Sequence, residues 1–195
     1  MTIYAATFTL LLILDPVGNI PMFLSLLKRV PPHRRKLVIA REMLFALCIL
    51  VFFLFFGSYI LNGMHISAPA LSISGGIILF LTALRMIFPS NKDDDRERNA
   101  EPLLVPLAVP LIAGPSAIAT VILFSTTFPD QKAQWLLGIF LAWFITAAVL
   151  IASDTLRKLL GDQMLEGIER LMGLILTTLA VQMLLAGTQQ FLAIL

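Results

Sequence analysis

Charge and cysteine are both scarce in this chain of 195 residues. Charged residues make up 13% of the sequence and hydrophobic residues 58%, whereas soluble domains contain about a quarter charged residues. The single cysteine, Cys48, excludes an internal disulfide and a cysteine-rich zinc site. The sequence also lacks a phosphate-binding Walker loop, a GxSxG motif and an HExxH motif. We therefore expect neither an ATP-driven pump nor an enzyme, and neither a metal nor a cofactor.

Long apolar runs account for most of the sequence. A helix needs about 20 apolar residues to cross the ~30 Å hydrocarbon core of a membrane. Six runs satisfy this requirement: 3–27, 38–61, 68–88, 103–128, 133–153 and 171–195. The sequence therefore predicts an all-α, multi-pass membrane protein with six transmembrane helices in the cell inner membrane.

The basic residues are distributed unequally among the connections between these runs. Of the 14 Lys and Arg residues, all but Lys132 lie in or beside the connections after the first, third and fifth runs. Because basic connections face the cytoplasm, the N and C termini are both predicted to lie outside. The basic residues serve this orientation rather than nucleic-acid binding. No basic residue precedes the first run, so we expect it to be retained rather than cleaved as a signal peptide.

Two segments half a chain apart are similar in sequence. GIILFLTALRM begins at Gly76 and GLILTTLAVQM begins at Gly173, 97 residues later, with five of eleven positions identical. Three predicted spans in each half would give the halves opposite orientations, as in the inverted repeats of many secondary transporters. The predicted organisation is a first three-helix repeat over 1–90, a cytoplasmic linker over 91–101 and a second, inverted repeat over 102–195.

Proline and glycine interrupt the first run at LDPVGNIP and the fourth run at VPLAVPLIAGPSAI. The residues concerned are Pro16, Gly18, Pro21, Pro106, Pro110, Gly114 and Pro115. Proline removes a backbone donor, and backbone groups freed at membrane depth must pack against protein or line a wet cavity. Both helices are therefore predicted to be broken. Opposed half-helix ends would bind a small zwitterion, with its ammonium at the carbonyl ends and its carboxylate at the N–H ends.

Asp15 is the one ionisable residue that the sequence places deep in a predicted span. A charge there costs at least ~2.5 kcal/mol, so it requires a reason. Asp before Pro is suited to cap the second half-helix. The carboxylate is equally suited to contact the substrate ammonium or to bind a coupling proton or sodium ion. Asn19 is suited either to bind the ligand or to form a hydrogen bond between helices.

The second break and the start of the third run carry small and polar residues. Ser116 and Thr120 either contact the ligand or bond back to their own helix. Gly75 and Gly76 are expected to allow close helix packing, within one chain or between copies, so a homo-oligomer is left open. The predicted substrate-binding set is Asp15, Pro16, Gly18, Asn19, Gly114, Pro115, Ser116 and Thr120.

The other charges near the spans are interpreted as structural. Long charged side chains at the ends of a span can reach the membrane interface. We expect this role for Arg41, Glu42 and Arg85, whereas Glu169 and Arg170 are expected to anchor the start of the sixth run.

Four segments resemble the MarC family of bacterial and archaeal integral membrane proteins. They are DPVGNIPMF from Asp15, ISGGIILFL from Ile73, VPLAVPLIAGPSAI from Val105 and ERLMGLIL from Glu169. The resemblance covers essentially the whole chain and looks closest to bacterial inner-membrane members. It implies a six-span fold with discontinuous first and fourth helices. Some archaeal relatives transport glycine and alanine with proton coupling, so the resemblance also implies small-solute transport.

Three functions are consistent with these features. The first is a secondary transporter of small neutral amino acids, proton-coupled at Asp15, which works by alternating access. The second is a drug or metabolite efflux protein of the same fold, which would need a wide apolar cavity. The third is a membrane scaffold or subunit that transports nothing. Such a protein would co-purify with a partner and would show no solute flux.

Overall fold

The described part of the chain is entirely helical. The computed structural model describes residues 2–20, 23–24, 31–88 and 112–193, and no strand occurs among them. The helices are α1 (Ile3–Leu14), α2 (Pro32–Gly63), α3 (Ala68–Ile87), α4 (Pro115–Thr127), α5 (Lys132–Ile151), α6 (Ser153–Leu160) and α7 (Asp162–Leu192), with a 3₁₀ turn at Pro129–Gln131. The prediction of an all-α protein is confirmed for these residues.

Four helical segments are long and apolar enough to cross a membrane. They are Arg34–Gly63, Ala68–Ile87, Pro129–Ile151 and Gln163–Leu192, and they correspond to the second, third, fifth and sixth predicted runs. Helix α7 begins well before the predicted position 171, because its charged first turns are helical although they are not apolar. Hydropathy therefore located the apolar part of the helix but not its start.

The remaining two apolar helices are short, and each has one end at a Pro/Gly motif. Helix α1 has 12 residues and α4 has 13, which at 1.5 Å per residue is about 18–20 Å. Neither length crosses a ~30 Å hydrocarbon core. Helix α1 ends at Leu14, and α4 begins at Pro115. The described edge of each break thus lies where the sequence predicted it, whereas the linker 91–101, Pro21, Pro106 and Pro110 lie outside the described residues.

Helices α3 and α7 form the most extensive contact in the described fold, and they run antiparallel. Glycines bring them together: a Cβ added to Gly76 would lie 3.1 Å from the carbonyl oxygen of Ala180, and one added to Gly173 would lie 3.0 Å from that of Ala83. The Ser72 hydroxyl also donates to the carbonyl of Met183 at 2.9 Å. The expectation that Gly75 and Gly76 allow close packing is confirmed.

The two short helices pack against the longer ones. Helix α1 lies mainly on α5, whereas α4 lies against both α2 and α3, and α1 and α4 also touch each other. At the α1–α5 contact, a Cβ on Gly138 would lie 3.2 Å from the Thr7 hydroxyl. Helix α2 is joined to α5 by the Trp143 indole, which donates to the Met43 carbonyl at 2.6 Å.

Large apolar side chains cover the outer faces of the long helices. About half of the surface of each of these side chains is exposed: Phe45, Phe52, Phe56, Phe144 and Leu174. A water-soluble protein does not expose apolar area on this scale, whereas lipid tails solvate such side chains. The fold is therefore that of a membrane protein whose helices present large residues to lipid and small residues to one another.

Candidate functional site

Asp15 forms the turn at the first break. Its backbone is left-handed (φ 40, ψ 66), and its N–H donates to the carbonyls of Leu11 and Leu12, which ends α1. Its Oδ1 accepts the Gly18 N–H at 3.1 Å, and its carbonyl accepts the Asn19 N–H at 3.1 Å. Asp15 therefore closes α1 and opens the following turn, as an N-cap does. The side chain is only 5% exposed.

Gly18 and Asn19 complete this turn. The Asn19 side-chain amide donates to the Leu14 carbonyl at 2.9 Å, so it satisfies a carbonyl group freed at the end of α1. A Cβ on Gly18 would overlap the Asp15 carboxylate and would also meet Cε of Met86 in α3. Glycine is thus required because the carboxylate lies directly over it. Pro16 is buried between these residues.

The second break has a different cap. Gly114 precedes α4 with an extended backbone (φ −66, ψ 168) and makes no side-chain cap hydrogen bond. Pro115, at the first helical position, is exposed, and Ser116 is half-buried. Thr120 is buried, and its hydroxyl bonds back to the Ser116 carbonyl at 2.9 Å. The bond within its own helix is therefore the role that the structure shows for Thr120.

The two breaks present opposite ends of helices. Helix α1 ends in carbonyl groups beside a carboxylate, whereas the N-cap of α4 is Gly114, which has no side chain to bond the first backbone N–H groups. The hydrogen bonds described for Asp15, Asn19 and Thr120 stay within their own motif. The predicted residues thus form two separate clusters on two helices that touch each other.

Glu169 lies on the side of α7 toward the first break, although sequence reasoning treated it as an end anchor. Glu169 lies seven residues inside α7, is half-buried, and is within electrostatic range of Asp15. Packing brings them together: Met86 contacts Gly18 through its Cε and Gly173 through its Cβ, and Gly173 lies one turn after Glu169. The four-residue spacing of Glu169 and Gly173 places them on one helix face, but no local pattern indicated that this face meets the first break.

Glu42 is a second buried carboxylate that the sequence placed at the interface. It is only 2% exposed, whereas its neighbour Arg41 has a half-exposed side chain. An Arg41 guanidinium nitrogen lies 2.9 Å from Oε1 of Glu42. The expected snorkelling applies to Arg41 and is wrong for Glu42, because α2 turns that carboxylate toward the protein.

Within the described ranges, three buried polar atoms have no hydrogen-bond partner: Thr7 Oγ1, Ser125 Oγ and Gln131 Oε1. In the same part of the chain, no group of three His, Cys, Asp or Glu side chains is placed to hold a metal ion.

Apolar helices of spanning length, together with two short helices that stop at Pro/Gly motifs, define a polytopic helical membrane protein. The chain belongs to the MarC family: the family model described as "MarC family integral membrane protein" matches residues 1–192.

Relatives in bacteria and archaea match over nearly their full length. The chain is 46% identical to a "UPF0056 membrane protein" of Buchnera aphidicola subsp. Baizongia pistaciae, with 97% of each chain covered. It is 44% identical to the "UPF0056 inner membrane protein YhgN" of Escherichia coli K12, again with 97% of each covered. It is 34% identical to the "UPF0056 membrane protein MJ1677" of Methanocaldococcus jannaschii, with 90% of each covered. No solved structure matches the chain.

Proposed function

We propose that this protein is a secondary transporter of small neutral amino acids such as glycine and alanine, coupled to protons and located in the inner membrane. The observation that carries the proposal is the pair of short apolar helices that stop at the two Pro/Gly motifs. Broken helices at membrane depth are the usual substrate sites of secondary transporters. The Escherichia coli relative, named an inner membrane protein, supports the location.

A small zwitterion matches the polarity of the two breaks. The carboxyl end of α1 carries the negative end of a helix dipole and the Asp15 side chain, so it suits an ammonium group. The uncapped N–H groups at the start of α4 suit a carboxylate. A substrate that bridges α1 and α4 would hold its ammonium toward Asp15 and its carboxylate toward Ser116. A wide apolar drug would leave both helix ends unsatisfied.

Alternating access requires two related halves, and the α3–α7 contact supports an inverted 3+3 repeat. A Cβ on Gly76 would meet the Ala180 carbonyl, Met183 and Leu184. A Cβ on Gly173, which is 97 residues later, would meet the Ala83 carbonyl, Met86 and Ile87. The partners of the two glycines correspond at the same offset of 97 residues: Ala180 to Ala83, Met183 to Met86 and Leu184 to Ile87. A two-fold axis between α3 and α7 would produce this exchange.

The proposed orientation, with both termini outside, is supported by an ion pair between two basic connections. Arg35, near the start of α2, lies 3.7 Å from Asp154 at the start of α6. This contact brings the connections after the first and fifth runs to one end of the protein. Positively charged connections gathered at one end match the cytoplasmic face.

The test is uptake by purified protein in liposomes. Labelled glycine or alanine should accumulate when the pH gradient is imposed, and the sodium gradient alone should have no effect. Uptake no greater than in empty liposomes, for every small neutral amino acid and either gradient direction, would reject the proposal. In that case, flux of a larger solute would favour an exporter, and a co-purifying partner without flux would favour a scaffold.

Asp15→Asn separates proton coupling from binding. We expect the variant to exchange glycine down its concentration gradient but to lose accumulation driven by the pH gradient, because the amide keeps the cap acceptor and cannot carry a proton. Glu166→Gln, an exposed carboxylate in α7, is the matched control and should accumulate glycine normally. Normal accumulation by Asp15→Asn would leave Asp15 with the capping role alone.

A further inference from the structure

The side chain of Met86 extends from the contact between α3 and α7 to the first break. At its base, a Cβ on Gly173 of α7 would lie 3.1 Å from the Cβ of Met86. At its tip, a Cβ on Gly18 would lie 2.5 Å from Cε of Met86. Glycine at both positions thus leaves room for this one side chain. The terminal methyl group of Met86 therefore lies directly on the turn that follows α1.

The Met86 methyl group and the Asp15 carboxylate are close neighbours. The same Cβ on Gly18 would meet both the carboxylate and Cε of Met86, so the two groups lie on one side of the turn. Asp15 is buried and Met86 is half-buried. A ligand group that approaches the carboxylate on this side therefore contacts the Met86 methyl.

The equivalent methionine in the other half of the chain has a different contact. Met183 lies 97 residues after Met86, and its Cε would lie 3.2 Å from a Cβ on Gly75 of α3. Its carbonyl accepts the Ser72 hydroxyl across the same pair of helices. The packing of α3 on α7 accounts for these contacts of Met183. It does not account for the tip of Met86, which reaches beyond the pair to Gly18.

We propose that Met86 limits the size of the substrate side chain at the Asp15 end of the site. The inference rests on the proposed function, in which the substrate ammonium lies toward Asp15. In an α-amino acid the side chain and the ammonium are attached to the same carbon, so the side chain also lies near Met86. The hydrogen of glycine and the methyl group of alanine fit beside the methionine, whereas the branched side chain of valine overlaps it.

Methionine suits this role for two reasons. Its unbranched side chain is long and adaptable, so it reaches from α3 to Gly18 and fills the space there. Its thioether has no hydrogen to donate, so it does not compete with the substrate ammonium for the Asp15 carboxylate. Met86 thus acts on the size of the substrate and leaves the charge recognition to Asp15.

Competition for labelled-glycine uptake into liposomes tests this role. Unlabelled alanine and valine are the competitors, and the ratio of their inhibition constants measures the size limit. We expect valine to inhibit the wild-type protein at least about 10-fold more weakly than alanine. Met86→Ala removes the side chain beyond Cβ, so this ratio should fall by about 10-fold. Met86→Leu shortens the side chain by one atom but conserves most of its volume, so it should fold normally and give an intermediate ratio.

Met183→Ala is the matched control, because it removes the same atoms from the same pair of helices; it should lower stability and keep the wild-type ratio. An equal fall in Met183→Ala would assign the effect to looser helix packing and overturn the role of Met86.

Three further outcomes would also decide against the size limit. They are a wild-type ratio in both Met86 variants, equal inhibition of the wild-type protein by valine and alanine, and loss of glycine uptake in Met86→Leu, since a larger site should still accept glycine. In each case wild-type glycine uptake leaves the transporter standing. Absence of wild-type glycine uptake would instead reject the transporter and the role of Met86 together.

Discussion

Asp15 combines a structural role in the backbone turn with an ionisable side chain. Its left-handed backbone and its bond to the Gly18 N–H are structural, and asparagine satisfies both, because it tolerates this conformation. Neither the left-handed backbone nor the bond to the Gly18 N–H requires a negative charge. A substitution that keeps the shape and removes the charge therefore separates folding from function.

We predict that Asp15→Ala lowers the free energy of unfolding by about 1–3 kcal/mol, because alanine loses the cap and lacks the short polar side chain that lets Asp and Asn adopt a left-handed backbone. Asp15→Asn should change it by less than about 0.5 kcal/mol. Thermal melting in detergent, followed by tryptophan fluorescence, measures both. Equal melting temperatures for the two variants would contradict the capping role.

Sequence reasoning identified Asp15 but not the position of Glu169. Asp before Pro inside an apolar run is a local signal, since the cost of the charge and the broken helix both involve neighbouring residues. Glu169 has no such signal, because ERLMG is an ordinary charged start to a spanning helix. Its position on the side toward the first break depends on the packing of α7 against α3, which places Gly173 on Met86 and Met86 on Gly18.

At the scale of the element, the break at each motif divides a potential span into a short helix and a further segment. The α3–α7 pair has no such break and forms the most extensive contact. Its glycines let the backbones approach, which in lipid replaces the hydrophobic driving force that water would provide. In the proposed transport cycle, this pair would be the frame against which the broken helices move.

Gly173→Ala tests this frame. A Cβ at Gly173 would lie 2.9 Å from Cγ1 of Ile87 and 3.0 Å from the Ala83 carbonyl, so the helices must separate. We expect a loss of about 1–3 kcal/mol of stability. Gly167→Ala in the same helix is the control, because a Cβ there meets nothing within 4 Å, and it should be neutral or stabilising by up to about 1 kcal/mol.

Melting in detergent compares the two variants directly. If Gly173→Ala melted at the same temperature as Gly167→Ala, the close approach of α3 and α7 would not limit stability. Gly76→Ala, whose Cβ would meet the Ala180 carbonyl at 3.1 Å, should resemble Gly173→Ala.

At the scale of the whole molecule, the proposed topology assigns each connection to one side of the membrane. The chain has a single cysteine, Cys48, so a Cys48→Ala background allows single cysteines to be introduced. Met64, after α2, and Leu159, in α6, are well exposed at 64% and 82%.

We predict that a membrane-impermeant maleimide labels Met64→Cys in intact cells. Leu159→Cys should be labelled only after the membrane is permeabilised, because α6 follows a span that ends at the basic face. Labelling of both positions in intact cells would place two connections on one side and contradict the proposed span order. If only Leu159→Cys were labelled in intact cells, both termini would lie in the cytoplasm instead of outside.

The sequence by itself determined the class of protein and the positions at which α1 ends and α4 begins. These properties are local: apolar length decides whether a helix can cross a membrane, and proline and glycine act on the adjacent turn. The two similar segments half a chain apart also identified Gly76 and Gly173 as corresponding positions.

Only the tertiary structure decided which residues from different helices meet. It buried Glu42, placed Glu169 on the side of α7 toward the first break, and placed Gly173 against α3. Such contacts depend on the rotation and crossing of whole helices, to which many side chains contribute small amounts. Asp15 was therefore visible in the sequence as an unusual residue, but its burial beneath α3 required the fold.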